Sequence, residues 1–205
     1  ITQEAQEVLA LKDQLGLEEA AILGTSRGGL IAMMLAATAK DRLTGVALND
    51  IGPVIADKGL AVIKDYIGRN PAQKTYAEAA AFRARHWTHF EGVPMARWLA
   101  EVTAHYEETP HGLVIRYDPK LRDAVLEAGA QPTPDLWPLF DALNGLPLAL
   151  IRGANSDLLS VVTAQEMVRR RPDMLYVDVP GRGHVPFLDE PEALGVITQW
   201  VDRLS

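Results

Sequence analysis

Apolar residues open the chain at helical spacing. Ala5, Val8, Leu11 and Leu15 share one face, and Gly16 is placed to end that helix. A short apolar run, Ala20 to Leu23, then reads as a strand. It is followed by the turn Gly24-Thr25-Ser26-Arg27-Gly28-Gly29 and by a helix over Leu30 to Ala39 that is apolar on most faces. The run Gly45 to Asn49 has the continuous apolar character of a buried parallel strand. Strand, helix and strand at this spacing predict a βαβ unit with a right-handed crossover.

The alternation stops at about Gly52, and up to Gly145 the periodicity is helical. Leu60, Ile63 and Ile67 share a face, and Thr75 and Glu78 have capping-box spacing ahead of another helix. Met95, Trp98, Leu99, Val102 and Tyr106 make a third stripe, and Pro132, Pro134 and Pro138 punctuate the return. Alternation then resumes with a strand at Leu148 to Ile151. A helix follows over Thr163 to Arg170, with a second capping box at Thr163 and Glu166. Another strand spans Met174 to Val179, and Pro191 opens a terminal helix running to Leu204. The pattern predicts an α/β class fold with a mostly parallel sheet in two parts, 1–51 and 146–205, interrupted by a helical insertion over 52–145. In open α/β sheets ligands bind at the edge where the strands end, and an insertion of this kind is expected there.

Candidate chemistry sits on that same edge. Gly24-Thr25-Ser26-Arg27-Gly28 fits G-x-S-x-G, with a buried strand before it and an apolar helix immediately after, the setting of a nucleophile elbow. So sharp a turn strains the serine backbone and brings strand and helix together, which side chains at 24 and 28 are expected to block. A serine hydroxyl needs a base to take its proton and an acid to orient that base. Of the five histidines, His86, His89, His105 and His111 lie in the insertion. Only His184 follows a sheet strand, in the loop Gly181-Arg182-Gly183-His184-Val185-Pro186. For the acid, Asp157 in Gly153-Ala154-Asn155-Ser156-Asp157 competes with Asp50. Asp157 is favoured because it lies on the strand between the insertion and His184, in the chain order Ser, Asp, His. Asp50 is assigned to capping the turn at Gly52-Pro53. His86 and His89, three apart on a helix, lack a third ligand and are read as a solvated face, so no metal is expected.

Composition narrows the partners. The formal charge of −7 argues against nucleic acid or an anionic membrane. The absence of cysteine fits a reducing cytoplasm, and the charged opening stretch lacks the apolar core of a signal peptide. Ten of the thirteen aromatic residues fall in the insertion, more than its share by length; most are expected to form its own core. The sequence opens on Ile1 inside a helix, so an upstream segment is expected.

With the elbow at Gly24 to Gly29, LNDIGP at Leu48 to Pro53, RGANSD at Arg152 to Asp157 and GRGHVPFLDEP at Gly181 to Pro191, the chain resembles the α/β-hydrolase fold family. Within it, the chain is similar to capped bacterial hydrolases of the esterase, enol-lactonase and carbon–carbon bond hydrolase type. The resemblance spans nearly all of the chain. It implies Ser26, Asp157 and His184 as the triad, the backbone N–H of Arg27 as one oxyanion donor, the insertion as a cap, and no cofactor. It also implies earlier strands and a second oxyanion donor upstream of Ile1, with a parallel neighbour for the strand at Ala20. Position 27 often holds an apolar or amide residue in the family; here the Arg27 side chain is expected to reach a neighbouring loop or solvent. The activity implied is hydrolysis of a small ester or lactone through an acyl-enzyme. Cleavage of a carbon–carbon bond in a dienoate is the nearest alternative, and a slow or non-catalytic ligand-sensing module the alternative of another class.

Overall fold

A computed structural model of the chain describes residues 1–130 and 134–204. They divide into two compact units, Ile1–Ala56 with Asp135–Ser205 and, separately, Asp57–Pro134.

The first unit is built on four parallel strands in the order β1 (Ala20–Thr25), β2 (Leu43–Asn49), β5 (Leu148–Gly153) and β6 (Leu175–Val179). The two central strands, β2 and β5, are buried at almost every position, as continuous apolar runs covered on both faces must be. The edge strand β1 alternates between half-buried and exposed along most of its length. Helix α1 (Thr2–Gln14) and helix α2 (Arg27–Thr38) pack together, and α2 lies against β1 and β2. Helix α9 (Pro191–Val201) carries Ala193, Val196 and Trp200 onto Ala47, Ala149, Ile151 and Val179 to complete a core cluster. Trp200 Nε1 also donates to the carbonyl of Pro147 at 3.1 Å, which satisfies its polar edge inside that core. Helix α8 (Val161–Arg170) is capped by Ser160, which accepts from Thr163 N at 3.1 Å; the expected box beginning at Thr163 lies one turn too late. Helix α1 differs from its apolar reading as well. It buries Ala5 and Lys12, whose ammonium reaches the carbonyls of Glu18 and Arg42, while Leu11 and Leu15 are exposed. A long side chain can bury its stem and still satisfy its charge on backbone carbonyls, which a hydrophobic count misses.

The second unit comprises α3 (Asp57–Tyr66), α4 (Tyr76–His86), α5 (Met95–His105), the antiparallel pair β3 (Tyr106–Thr109) and β4 (Gly112–Ile115), and α6 (Leu121–Ala130). Its bounds are narrower than the expected 52–145; α7 (Trp137–Asp141) belongs with the first unit. The hairpin corrects the all-helical reading. Tyr106 continues the i, i+4 series of Trp98 and Val102, yet it ends α5 in extended backbone, φ −124° and ψ 155°. A two-residue link, Pro110-His111, turns the chain, with Thr109 Oγ1 donating to the carbonyl of Gly112. The box at Thr75 does form its forward half, Glu78 N donating to Thr75 Oγ1 at 3.2 Å, while the Glu78 carboxylate accepts from Lys74 N. Trp98, 2% exposed, meets the rings of Trp87 and Phe90 edge-on, so aromatic residues make this unit's own core. Pro132 lies outside the described residues. No helix among the described residues is long and apolar enough to cross a membrane.

Candidate active site

Ser26 stands between the end of β1 and the first residue of α2, with φ 50° and ψ −118°, a backbone conformation that costs a non-glycine residue free energy. Two bonds hold it there: Ser26 N donates to the carbonyl of Asn49 at 3.0 Å, and Gly29 N donates to the carbonyl of Ser26 at 2.9 Å. The tightness of the elbow explains its glycines, with one change from expectation. A Cβ at Gly24 would lie 2.6 Å from the backbone of Gly28 and Gly29, and one at Gly29 would run into Ile51 and Leu48. A Cβ at Gly28 would meet open space. The close approach therefore falls on positions 24 and 29, because residue 29 is the one turned toward the sheet.

Asp50 occupies the equivalent place one strand over. Thr25 pairs with Asn49 and Asn49 with Ile151 in the parallel register, so Ser26 and Asp50 leave the sheet at the same end. Asp50 also has positive φ, 54°, and its N–H donates to the carbonyl of Ile151 at 2.7 Å. Aspartate tolerates left-handed backbone better than most residues, which suits it to this sharp exit.

His184 comes from the loop after β6. Glu190, 5% exposed, organises that loop: its carboxylate accepts from Arg182 Nε at 2.7 Å, Phe187 N at 3.0 Å and Leu188 N at 2.9 Å. Asn49 ties the loop to the elbow, donating from Nδ2 to Thr25 Oγ1 and to the carbonyl of Pro186, each at 3.2 Å. Thus held, His184 Nε2 accepts from Ser26 Oγ at 2.9 Å, and His184 Nδ1 donates to Asp50 Oδ2 at 2.7 Å.

The carboxylate on the imidazole is therefore that of Asp50, which corrects the choice of Asp157. The reason is spatial. Asp50 is fully buried, its side chain directed along the sheet edge to where the imidazole lies. A buried carboxylate is tolerable only with donors around it, and Asp50 has three. Gly153 N donates to Oδ1 at 2.8 Å, and Ser156 Oγ and His184 Nδ1 both donate to Oδ2. The loop expected to supply the acid instead supplies two donors to it, and Asp157 lies half-buried beyond them. Chain order does not separate the candidates, since both lie between Ser26 and His184. The signal that favours Asp50 is a single carboxylate ending an otherwise apolar buried strand in Leu48-Asn49-Asp50-Ile51.

Electrostatics follow from this arrangement. An ionised carboxylate only accepts, so it fixes the proton on Nδ1 and leaves the Nε2 lone pair facing Ser26. Arg27, first residue of α2, has its N–H at the helix N-terminus, where negative charge is favoured. Its guanidinium turns away to α1, gripping Glu4 through Nε and Nη2 at 2.7 Å each. That hydrogen-bonded pairing holds the Glu4 carboxyl below its usual range. His86, one of the insertion histidines, stacks on Phe82 with ring centroids 4.1 Å apart.

Known proteins share this framework. The 3-hydroxybutyrate-oligomer hydrolase of Cupriavidus necator is 32% identical over 209 aligned positions, taking in 98% of this chain and 71% of that protein. The 2-(acetamidomethylene)succinate hydrolase of Mesorhizobium japonicum is 24% identical, across 97% of this chain and 69% of its own. Among solved structures, an alpha/beta hydrolase from Novosphingobium aromaticivorans superposes with a TM-score of 0.87 at 36% identity, covering 98% of this chain and 71% of that one. The family model for alpha/beta hydrolases matches residues 2–195, and with it the elbow, the buried strands and the histidine loop. The chain is a member of the alpha/beta hydrolase family.

Proposed function

We propose that the chain is a serine hydrolase that cleaves a carboxylic ester or lactone of a small organic substrate through an acyl-enzyme intermediate. One observation carries this reading: Ser26 Oγ, the two ring nitrogens of His184 and Asp50 Oδ2 form one chain of hydrogen bonds, 2.9 and 2.7 Å long. In the reading, Ser26 Oγ attacks the carbonyl carbon as its proton passes to His184 Nε2. Asp50 stabilises the imidazolium and holds its orientation. The oxyanion receives a hydrogen bond from the Arg27 N–H, aided by the field of α2. The imidazolium then returns its proton to the departing alkoxide. Water repeats the sequence on the acyl-enzyme, releasing the carboxylic acid and restoring Ser26.

The name of the Cupriavidus relative narrows the substrate class. We assign esters of short hydroxy acids, whose alcohol and acid halves are both small. The second unit, Asp57–Pro134, takes the role of the cap that selects among them. The test combines turnover of a p-nitrophenyl ester and of a dimeric hydroxy-acid ester with labelling by a fluorophosphonate. The expected result is hydrolysis of both and a single adduct on Ser26, absent in Ser26→Ala. A chain that hydrolyses neither ester and takes no label overturns the reading.

A further inference from the structure

Ser156 has a place in this site that its position in the sequence does not announce. Its hydroxyl lies 2.6 Å from Asp50 Oδ2, the same oxygen that receives His184 Nδ1–H. The direction of that hydrogen bond is fixed from both ends. Ser156 Oγ already accepts from Leu158 N at 3.2 Å and from Leu159 N at 3.1 Å, which occupies its lone pairs. An ionised carboxylate cannot donate, so the one hydroxyl proton must point at Oδ2. The backbone around Ser156 is equally constrained. Ser156 N closes a turn onto the carbonyl of Gly153 at 2.9 Å, Ala154 N bonds the carbonyl of Val179 at 3.0 Å, and Asn155 N bonds that of Arg182 at 2.9 Å. A Cβ at Gly153 would strike the carbonyls of Arg182 and Gly183, so this loop is seated directly on the one that carries His184.

We propose that Ser156 is a positioning residue for the reaction: together with Gly153 N–H it locks the plane of the Asp50 carboxylate so that Oδ2 faces His184 Nδ1. The proposal rests on the serine-hydrolase reading above. With Gly153 N–H on Oδ1 and the Ser156 hydroxyl on Oδ2, the carboxylate is held at both oxygens independently of the imidazole. Without the hydroxyl, only Gly153 N–H opposes rotation of the carboxylate, and the imidazole must orient its own acid. Ser156 touches neither Ser26 nor the reacting carbonyl in this scheme; it acts through Asp50. Because Oδ2 would then serve one donor and not two, it would also accept more strongly from Nδ1–H.

These consequences separate positioning from mere support of the turn at Leu158 and Leu159. In Ser156→Ala, kcat on a p-nitrophenyl ester should fall about tenfold, in keeping with loss of one hydrogen bond to a charged group, while KM stays within about twofold. Proton NMR of the same protein should show the far-downfield Nδ1–H resonance of His184 moved further downfield. Ser156→Thr, which keeps the hydroxyl, should restore both values. If Ser156→Ala fails to fold, Ser156→Cys retains a weak donor and should give intermediate kcat and an intermediate shift. Wild-type kcat in the folded Ala or Cys variant, or an unmoved resonance, overturns the proposal. A wild-type chain that takes no fluorophosphonate overturns the serine-hydrolase reading and the proposal with it. A labelled wild type with an unmoved resonance in the variant overturns the proposal alone.

Discussion

Replacing Asp50 by asparagine exchanges one side-chain oxygen for an NH2 group and should nearly abolish turnover. The carboxylate presents two acceptor oxygens to three donors, Gly153 N on Oδ1 and Ser156 Oγ and His184 Nδ1 on Oδ2. An amide has one acceptor oxygen. Placed toward Ser156 and His184, it turns its NH2 against Gly153 N–H across 2.8 Å, donor against donor. Placed toward Gly153, it turns the NH2 against the Ser156 hydroxyl and the imidazole. His184 can then relieve the conflict only by moving its proton to Nε2, which presents a donor to Ser26 and removes the base. The wrong tautomer at a serine triad costs roughly 10⁴ in kcat, or about 5 kcal/mol at ~1.36 kcal/mol per decade. Asp157→Asn alters a half-buried loop side chain and should stay within about threefold. Steady-state turnover of a p-nitrophenyl ester, with circular dichroism to verify folding, makes the comparison directly. A crippled Asp157→Asn beside a near-normal Asp50→Asn would refute the reasoning.

Three further outcomes are expected. Ser26→Gly should abolish labelling yet raise the thermal midpoint, because it releases backbone strain of about 1 kcal/mol or more at φ 50°; a lowered midpoint would show that the hydrogen bond to His184 outweighs the strain. Gly24→Ala should prevent correct folding, since its Cβ would lie 2.6 Å from the backbone of α2, whereas Gly28→Ala should fold and keep or gain stability by up to about 1 kcal/mol; equal thermal midpoints for the two would contradict the elbow geometry. The Glu4 carboxyl is held low chiefly by its hydrogen bonds from Arg27, so its folded-state pKa lies below the unfolded one. That contribution is present above the unfolded pKa and is lost as pH falls through the folded pKa. The midpoint of wild type should therefore exceed that of Glu4→Gln at neutral pH and converge on it in acid; a gap that persists at low pH would assign the effect to packing.

Local pattern was enough for much of this molecule. The strand-turn-helix at Ser26 is legible because an apolar run, a glycine-rich turn and an apolar helix follow one another within a few residues, and each is a short-range property. The buried strands β2 and β5, the first-turn position of Pro191 and the loop placement of His184 are legible for the same reason. Where two local patterns overlap, the reading slips. Tyr106 extends the helical stripe of Trp98 and Val102 and so hid the strand it begins, and Lys12 is buried because backbone carbonyls happen to wait for its ammonium. Which carboxylate meets His184 is a question of a different kind. Asp50 and Asp157 each follow a strand and each precede His184, so chain order does not separate them, and the sequence reading favours Asp157. The parallel register decides between them by placing Ser26 and Asp50 on adjacent strands at one sheet edge. The packing of the Gly153–Ser156 loop then surrounds Asp50 with donors. The sequence by itself determined the candidate serine, the candidate histidine and the parallel sheet, since those rest on neighbouring residues. Only the tertiary structure decided which carboxylate meets that histidine, because a buried carboxylate belongs wherever donors from distant segments converge, and that convergence exists only once the sheet has formed.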